Sequence, residues 1–135
     1  MSQELPTPTD ENLMKFVYGD EVSSAHLREA MTGPAASTYN KVVSPTNAPL
    51  WARRVLPIET TVLVNLAILA GLNRPHELYT RVVGLLRGGI SVEQIQEVFL
   101  HIGFYCGNPA GVEATVTLHD AMKNLQERGI AYRET

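Results

Sequence analysis

The chain has 135 residues, of which 44% are hydrophobic, so one ordinary core and a single domain are expected. Its formal net charge is −3, and no cluster of Lys or Arg is present, which argues against a nucleic-acid partner. The longest apolar run, residues 61–72, is interrupted by Asn65 and is shorter than the roughly 20 residues of a membrane span. The chain starts without a signal-peptide pattern, and its one cysteine, Cys106, excludes an intrachain disulfide, so we expect a soluble cytoplasmic protein.

The first half of the chain has weak helical patterns. Residues 1–8 are expected to form a disordered leader, because two prolines and few apolar residues do not offset the entropy of ordering, and residues 9–135 a single domain. Apolar spacing predicts short helices over residues 10–18 and 22–31. Four prolines then interrupt the pattern over residues 32–57, which predicts a long irregular segment. Such segments are often functional or pinned against a neighbour.

The second half begins with two clearer helices. Residues 58–70 are apolar almost all round, which is typical of a buried helix. A second helix is predicted over residues 75–87, with Asn73 as its cap, Pro75 in its first turn and a Gly-Gly pair at its end.

Two further helices complete the prediction. Ser91 and Gln94 have the spacing of a capping box and start a helix over residues 91–106. A final helix is predicted over residues 109–128. Because no alternating strand pattern competes with these helices, the chain is predicted to be all-α.

One polar pair lies on the helix predicted over residues 75–87. Glu77 and Arg81 are four residues apart and share a face, with Gly84 one turn later where a neighbour can pack closely. One interpretation is a solvated ion pair that contributes roughly 0.3–0.5 kcal/mol. The other is that both side chains face a functional space.

A second polar stripe lies on the helix predicted over residues 91–106. Its members are Gln94, Glu97, His101 and Tyr105, which follow one another at helical spacing. Either His101 is a buried histidine bonded to Glu97 or a backbone carbonyl, or Glu97 orients it as a general acid or base. The second interpretation rests on the surrounding apolar residues, which are expected to form a low-dielectric wall. These are Phe99, Leu100, Ile102, Phe104 and Tyr105.

No metal or cofactor site is expected. The four histidines, His26, His76, His101 and His119, fall in four different elements, and no pair has the spacing of metal ligands on one helix. Neither a phosphate-binding glycine loop nor a dinucleotide fingerprint is present.

Two parts of the chain carry a recognisable family pattern. They are "LVNLAILAGLNRPHELYTRVVGLLRGGISVEQIQEVFLHIGFYCGNPAGVEA" in the second half and, upstream, "YGDEV" and "LWARR". In these residues the chain resembles the carboxymuconolactone decarboxylase family. This resemblance implies the all-helical fold that this family shares with the alkylhydroperoxidase D proteins, and assembly as a trimer or hexamer. The Cys-x-x-Cys-x-x-x-His motif of the latter falls on Arg74, Glu77 and Arg81, so the resemblance does not extend to peroxidase chemistry.

The resemblance implies a cofactor-independent lyase that decarboxylates a small carboxylated lactone or keto acid through an enolate. Arg81 replaces the usual family histidine and, being permanently charged, cannot supply the proton. The predicted catalytic residues are therefore His101 as acid or base, Glu97 to orient it, and Arg81 to stabilise anionic charge. The predicted substrate-binding residues are Glu77 paired with Arg81, His76, Trp51, Arg53 and Tyr105.

Two alternatives remain at this stage. An isomerase or cyclase can use the same enolate chemistry on a related small molecule. A non-catalytic, ligand-binding helical oligomer can instead use residues 58–70 and 32–57 for subunit contacts. A closed, dry cavity that contains His101 and Arg81 favours catalysis, whereas both side chains pointing into solvent or into a subunit contact favours the non-catalytic interpretation.

Overall fold

The computed structural model describes residues 3–135, and this part of the chain contains helices and no strand. The all-α, single-domain prediction is therefore confirmed. The helices are α1 (Asp10–Lys15), α2 (Ala25–Thr32), α3 (Ser37–Val42), α4 (Asn47–Trp51), α5 (Ile58–Gly71), α6 (Pro75–Gly88), α7 (Val92–Tyr105) and α8 (Asn108–Glu127). Two 3-10 turns, Pro34–Ala36 and Ser44–Thr46, flank α3.

The ends of the long helices follow local sequence signals, with one exception. Ser91 accepts a hydrogen bond from the Gln94 backbone at 3.1 Å, and the Gln94 side chain accepts one from the Ser91 backbone at 3.0 Å, so the capping box is confirmed. Gly89 ends α6 with a φ of 106°, which favours glycine. Asn73 is not a cap as predicted, because it lies in a left-handed turn with a φ of 52° and Arg74 takes the cap position.

The core lies between α5, α6, α7 and α8. Helix α6 is central, since it packs against α1, α5 and α8 and nearly all its residues from Leu78 onward are buried. Helix α7 packs against α5 and α8. The helix predicted to be buried all round, α5, is in fact only half buried, because Val64, Ile68 and Leu72 form an exposed apolar stripe along it.

The segment predicted to be irregular is instead a series of short helical elements. Residues 25–51, here called the arm, contain α2, α3, α4 and both 3-10 turns, which pack mainly on one another. Ala36 and Trp51 are its buried hydrophobic residues. The prolines start short helical turns here, since Pro34 and Pro45 occupy first-turn positions where no amide donor is needed.

The turn that precedes the arm is fixed by Asp20. Its buried carboxylate accepts hydrogen bonds from Arg128 at 2.8 Å, from Arg87 at 3.3 Å and from the Ser23 backbone at 2.9 Å. Burial acts to raise the pKa of Asp20, but the hydrogen bonds from Ser23 and Arg128 outweigh burial and hold this pKa below its usual value. Asp20 thereby ties the start of the arm to α6 and to the end of α8.

The chain before α1, where a leader over residues 1–8 was predicted, has defined contacts from Gln3 onward. The Gln3 side chain donates to the Gly129 carbonyl and accepts from the Ala131 amide, both at 2.7 Å. Residues 1 and 2 lie outside the described residues. None of the helices described here is long and apolar enough to cross a membrane.

We expect Gly84→Ala to lower the free energy of unfolding by about 1–3 kcal/mol. A Cβ atom at Gly84 would overlap the carbonyl oxygen of Phe16 and press on Gly19, so α1 would have to move away from α6. Gly103→Ala is the matched control, because its Cβ would meet only the Gly111 Cα at 3.9 Å and would gain up to about 1 kcal/mol of helix propensity. Urea denaturation measures the free energy of unfolding of both variants. Equal stabilities would contradict close packing at Gly84.

Candidate active site

An open cleft of about 910 Å³ lies between the arm and helices α5 and α6. Helix α6 contributes Glu77, Thr80 and Arg81, and helix α5 contributes Asn65. The remaining lining comes from Tyr18 and from the arm. Ser24, just before the arm, also lines the cleft, and the arm contributes Leu27, Arg28, Met31, Tyr39, Asn40, Val43, Ser44, Thr46, Asn47, Leu50 and Trp51.

Arg81 is the buried cation of this cleft. Only 6% of the residue is exposed, although it carries a full charge. Its Nη1 donates a hydrogen bond to Oδ1 of Asn65. Its Cζ lies 5.2 Å from the ring centroid of Tyr18 and 5.9 Å from that of Trp51, so two aromatic rings hold the guanidinium by cation–π contacts.

The other edge of the Arg81 guanidinium has no partner within residues 3–135. Nε is buried without a hydrogen bond, and Nη2 makes none either. A buried donor without a partner costs roughly 1–3 kcal/mol, and more when it is charged. A pair of ligand oxygens fits this Nε–Nη2 edge, because guanidinium binds such groups through two parallel hydrogen bonds.

The expected ion pair between Glu77 and Arg81 is absent. In the part of the chain that the structure describes, no carboxylate lies within salt-bridge distance of Arg81, and Glu77 is exposed at the cleft. Burial lowers the pKa of Arg81, while the nearby Tyr18 and Glu77 act to raise it. Arg81 is therefore a desolvated cation that lacks a counter-ion, and anions are its natural ligands.

His101 lies outside the cleft. Its side chain is 67% exposed on the outer face of α7, and Nε2 lies 3.6 Å from the Glu97 carboxylate, which is 69% exposed. The Tyr105 ring is parallel to the imidazole at a centroid distance of 6.5 Å. The predicted pairing with Glu97 is thus present, but the interpretation as a buried histidine is wrong.

The predicted low-dielectric wall around His101 is also wrong for the single chain. Phe99 and Ile102 face the core, whereas Leu100, Phe104 and Tyr105 point outward and are strongly exposed. Arg81 therefore lies in the cleft and His101 lies outside it. Within one subunit the structure thus shows neither a closed cavity that contains both side chains nor exposure of both.

The other predicted substrate-binding residues divide between the cleft and the surface. Trp51 is buried and lines the cleft. Arg53 is exposed and lines a separate pocket of about 160 Å³ with Arg54 and Val55. His76 is exposed in the first turn of α6 and does not line the cleft.

Sequence reasoning missed two of the groups that position Arg81. Asn65 is the residue that interrupts the apolar run of α5, and a polar residue in such a run is a signal for a buried partner. Tyr18 belongs to the "YGDEV" motif, whose resemblance was noted without a role for the ring. Within residues 3–135, no group of three or more His, Cys, Asp or Glu side chains is placed to hold a metal ion.

Two curated decarboxylases are similar to the chain in sequence. A 4-carboxymuconolactone decarboxylase of Acinetobacter baylyi is 32% identical over 82 residues, which cover 61% of this chain and 59% of that protein. A nitrosuccinic acid decarboxylase of Metarhizium robertsii is 26% identical over 117 residues, which cover 85% of this chain and 80% of that protein. Over these ranges the chain is similar in sequence to both decarboxylases.

The resemblance found in the sequence motifs is therefore confirmed. The match spans 59% of the length of the Acinetobacter protein, and no family model matches the chain. Arg81, which the resemblance to the family pattern aligns with a histidine, is one of the residues that line the cleft.

Proposed function

We propose that the chain is a decarboxylase of a small organic acid and that Arg81 binds the anionic group formed as CO2 leaves. The observation that carries the proposal is the buried guanidinium of Arg81, which lines an open cleft and has an unpartnered Nε–Nη2 edge. The similarity to two proteins named as decarboxylases supports it.

The proposed reaction needs an electron sink next to the departing carboxylate. The bond between carbon and carboxylate breaks, CO2 leaves, and the electron pair moves into a neighbouring carbonyl or nitro group, which becomes an enolate or a nitronate. A proton then adds to the carbon and completes the product. Because the substrate itself holds the sink, this reaction requires no cofactor.

Arg81 acts in this scheme by stabilising the negative charge that develops on the oxygen atoms of the carbonyl or nitro group. A desolvated cation that is already in place stabilises charge that develops in the transition state and needs no reorganisation. If Arg81 held the departing carboxylate instead, it would stabilise the ground state and slow the reaction. The substrate is therefore expected to place its carbonyl or nitro oxygens, and not the leaving carboxylate, on this arginine.

A nitro acid is a specific second candidate for the substrate class, beside a carboxylated lactone or keto acid. A nitronate presents two equivalent oxygens in one plane, which match the two parallel donors of a guanidinium edge. A histidine has no such pair of donors on one side. The replacement of the usual histidine by Arg81 thus favours a two-oxygen sink.

The proposal is tested by measuring CO2 release from purified protein with four acids. These are 4-carboxymuconolactone, nitrosuccinic acid, a simple β-keto acid, and succinic acid as the matched acid without a sink. We expect release from at least one of the first three and none from succinic acid. Consumption of an acid without CO2 would indicate the isomerase or cyclase alternative, and no consumption of any would contradict an enzymatic role on these classes.

A further inference from the structure

The outer face of α7 carries large apolar side chains that no part of the described chain covers. Phe104 is 82% exposed and Tyr105 79% exposed, and Leu100 is similarly open to solvent. His101 and Glu97 lie among them on the same face. We call these five residues the α7 face. Exposed apolar groups gathered in this way are typical of a protein contact.

The rim of the Arg81 cleft is a second uncovered apolar surface. Met31, Tyr39, Val43 and Leu50 line the cleft and are 40–64% exposed, and they come from successive elements of the arm. We call these four residues the arm face. Because the arm packs mainly on itself, this rim is open in the single chain.

The two elements that carry these surfaces have opposite formal charge. Helix α7 holds Glu93 and Glu97 and no Lys or Arg, a formal charge of −2. The arm holds Arg28, Lys41 and Glu29, a formal charge of +1. Of these charged residues, Glu97 lies on the α7 face itself. The α7 face therefore suits an arm of opposite charge, whereas two α7 faces would bring their Glu97 carboxylates together.

The Arg81 cleft also lacks an imidazole. The proposed reaction ends with a proton transfer to carbon that Arg81 cannot perform. His101 lies 3.6 Å from the Glu97 carboxylate but outside its own cleft. Within one subunit the cleft therefore has no histidine to supply this proton, and His101 is displayed on a surface that is open to a second copy.

We propose that copies of this chain associate with the α7 face of one subunit against the arm face of the next, so that His101 completes the neighbouring Arg81 cleft. The contact joins two different surfaces, so it closes into a ring when the rotation between subunits allows it. A protonated His101 gives its proton to the substrate carbon and is left as neutral imidazole. The catalytic part rests on the proposed function; the contact itself does not.

Cross-linking tests the contact without any substrate. Cys106 is the one cysteine of the chain, is exposed, and follows the end of α7. With Val43→Cys on the arm face, a short bismaleimide is expected to give a ladder of covalent oligomers beyond the dimer. The wild-type chain, and Val43→Cys combined with Cys106→Ser, each hold one thiol and serve as matched controls. No ladder with both thiols, or dimers from Cys106 alone, would overturn the proposed contact.

Light scattering gives an independent measure of the same contact. Phe104→Glu places a charge in the centre of the α7 face and is expected to lower the mass of the assembly to that of one chain. Gln126→Glu adds the same charge at the far end of α8 and should leave the mass unchanged. An unchanged mass for Phe104→Glu would count against this surface.

Mixed subunits test the shared site. His101→Ala and Arg81→Met are each expected to be inactive alone. When the two chains are unfolded and refolded together, random mixing in a head-to-tail ring restores about a quarter of the wild-type sites. No recovery, while the wild type releases CO2, would overturn the shared site. Absence of CO2 from the wild type would overturn the proposed function, and the cross-linking result would still decide the contact.

Discussion

Arg81→Met is expected to reduce the turnover number for CO2 release by about 100- to 1,000-fold, the range seen when one donor to a developing oxyanion is removed. Methionine fills similar space but has no charge and no donor. Arg81→Lys keeps the charge but loses the paired donors of the guanidinium edge, so it should recover only part of the activity. The measurement is CO2 release under saturating substrate.

The same substitution is expected to leave stability unchanged or to raise it. The guanidinium is buried without a counter-ion and with Nε unpartnered, so its desolvation opposes folding. Functional sites commonly lower the stability of the folded protein, because activity needs groups that are unfavourable for folding. Urea denaturation measures this, with Arg74→Met, at an exposed position before α6, as the control. A large loss of stability in Arg81→Met would mark Arg81 as a structural residue instead.

Trp51→Ala is expected to lower the free energy of unfolding by about 3–5 kcal/mol, as for other buried large aromatic residues. Trp51 is the one large buried side chain of the arm, and its ring also contacts Tyr18 at a centroid distance of 6.5 Å. Its loss should release the arm from the core and open the Arg81 cleft. The free energy of unfolding of a small domain is about 5–15 kcal/mol in total, so the expected loss is a large share of it.

Two measurements check the prediction for Trp51. Urea denaturation gives the change in stability, and limited proteolysis followed by mass spectrometry locates cleavage, which we expect within residues 25–51. Val55→Ala removes a strongly exposed side chain next to the arm and should change stability by less than about 0.5 kcal/mol. Intact stability and unchanged cleavage in Trp51→Ala would show that the arm is held by other contacts.

The long helices were predictable because local signals define their ends. The Ser91 capping box, Pro75 in a first turn and the left-handed Gly89 act within a few residues of chain. The arm was missed because prolines were interpreted only as helix breakers. At the start of a short helix, a proline such as Pro34 stabilises the turn that it appears to interrupt.

The candidate site was predictable only in part, because its contacts join distant residues. Spacing on one helix suggested Glu77 as the partner of Arg81, whereas the true partner is Asn65 on another helix. The sequence around His101 is apolar on more than one side, so periodicity alone did not decide which apolar side chains face the core. Phe99 faces the core, whereas Phe104 is exposed to solvent. The pairing of His101 with Glu97, set by a spacing of four residues, was found correctly.

The central claim is that the free edge of Arg81 binds the anion that loss of CO2 creates. For nitrosuccinic acid that anion is the nitronate of 3-nitropropanoic acid, which can be prepared and added to crystals. A crystal structure of this complex should place the two nitronate oxygens about 2.7–3.1 Å from Nε and Nη2 of Arg81. A nitronate that occupies the cleft with its carboxylate on Arg81, or that binds without touching Arg81, would contradict the claim.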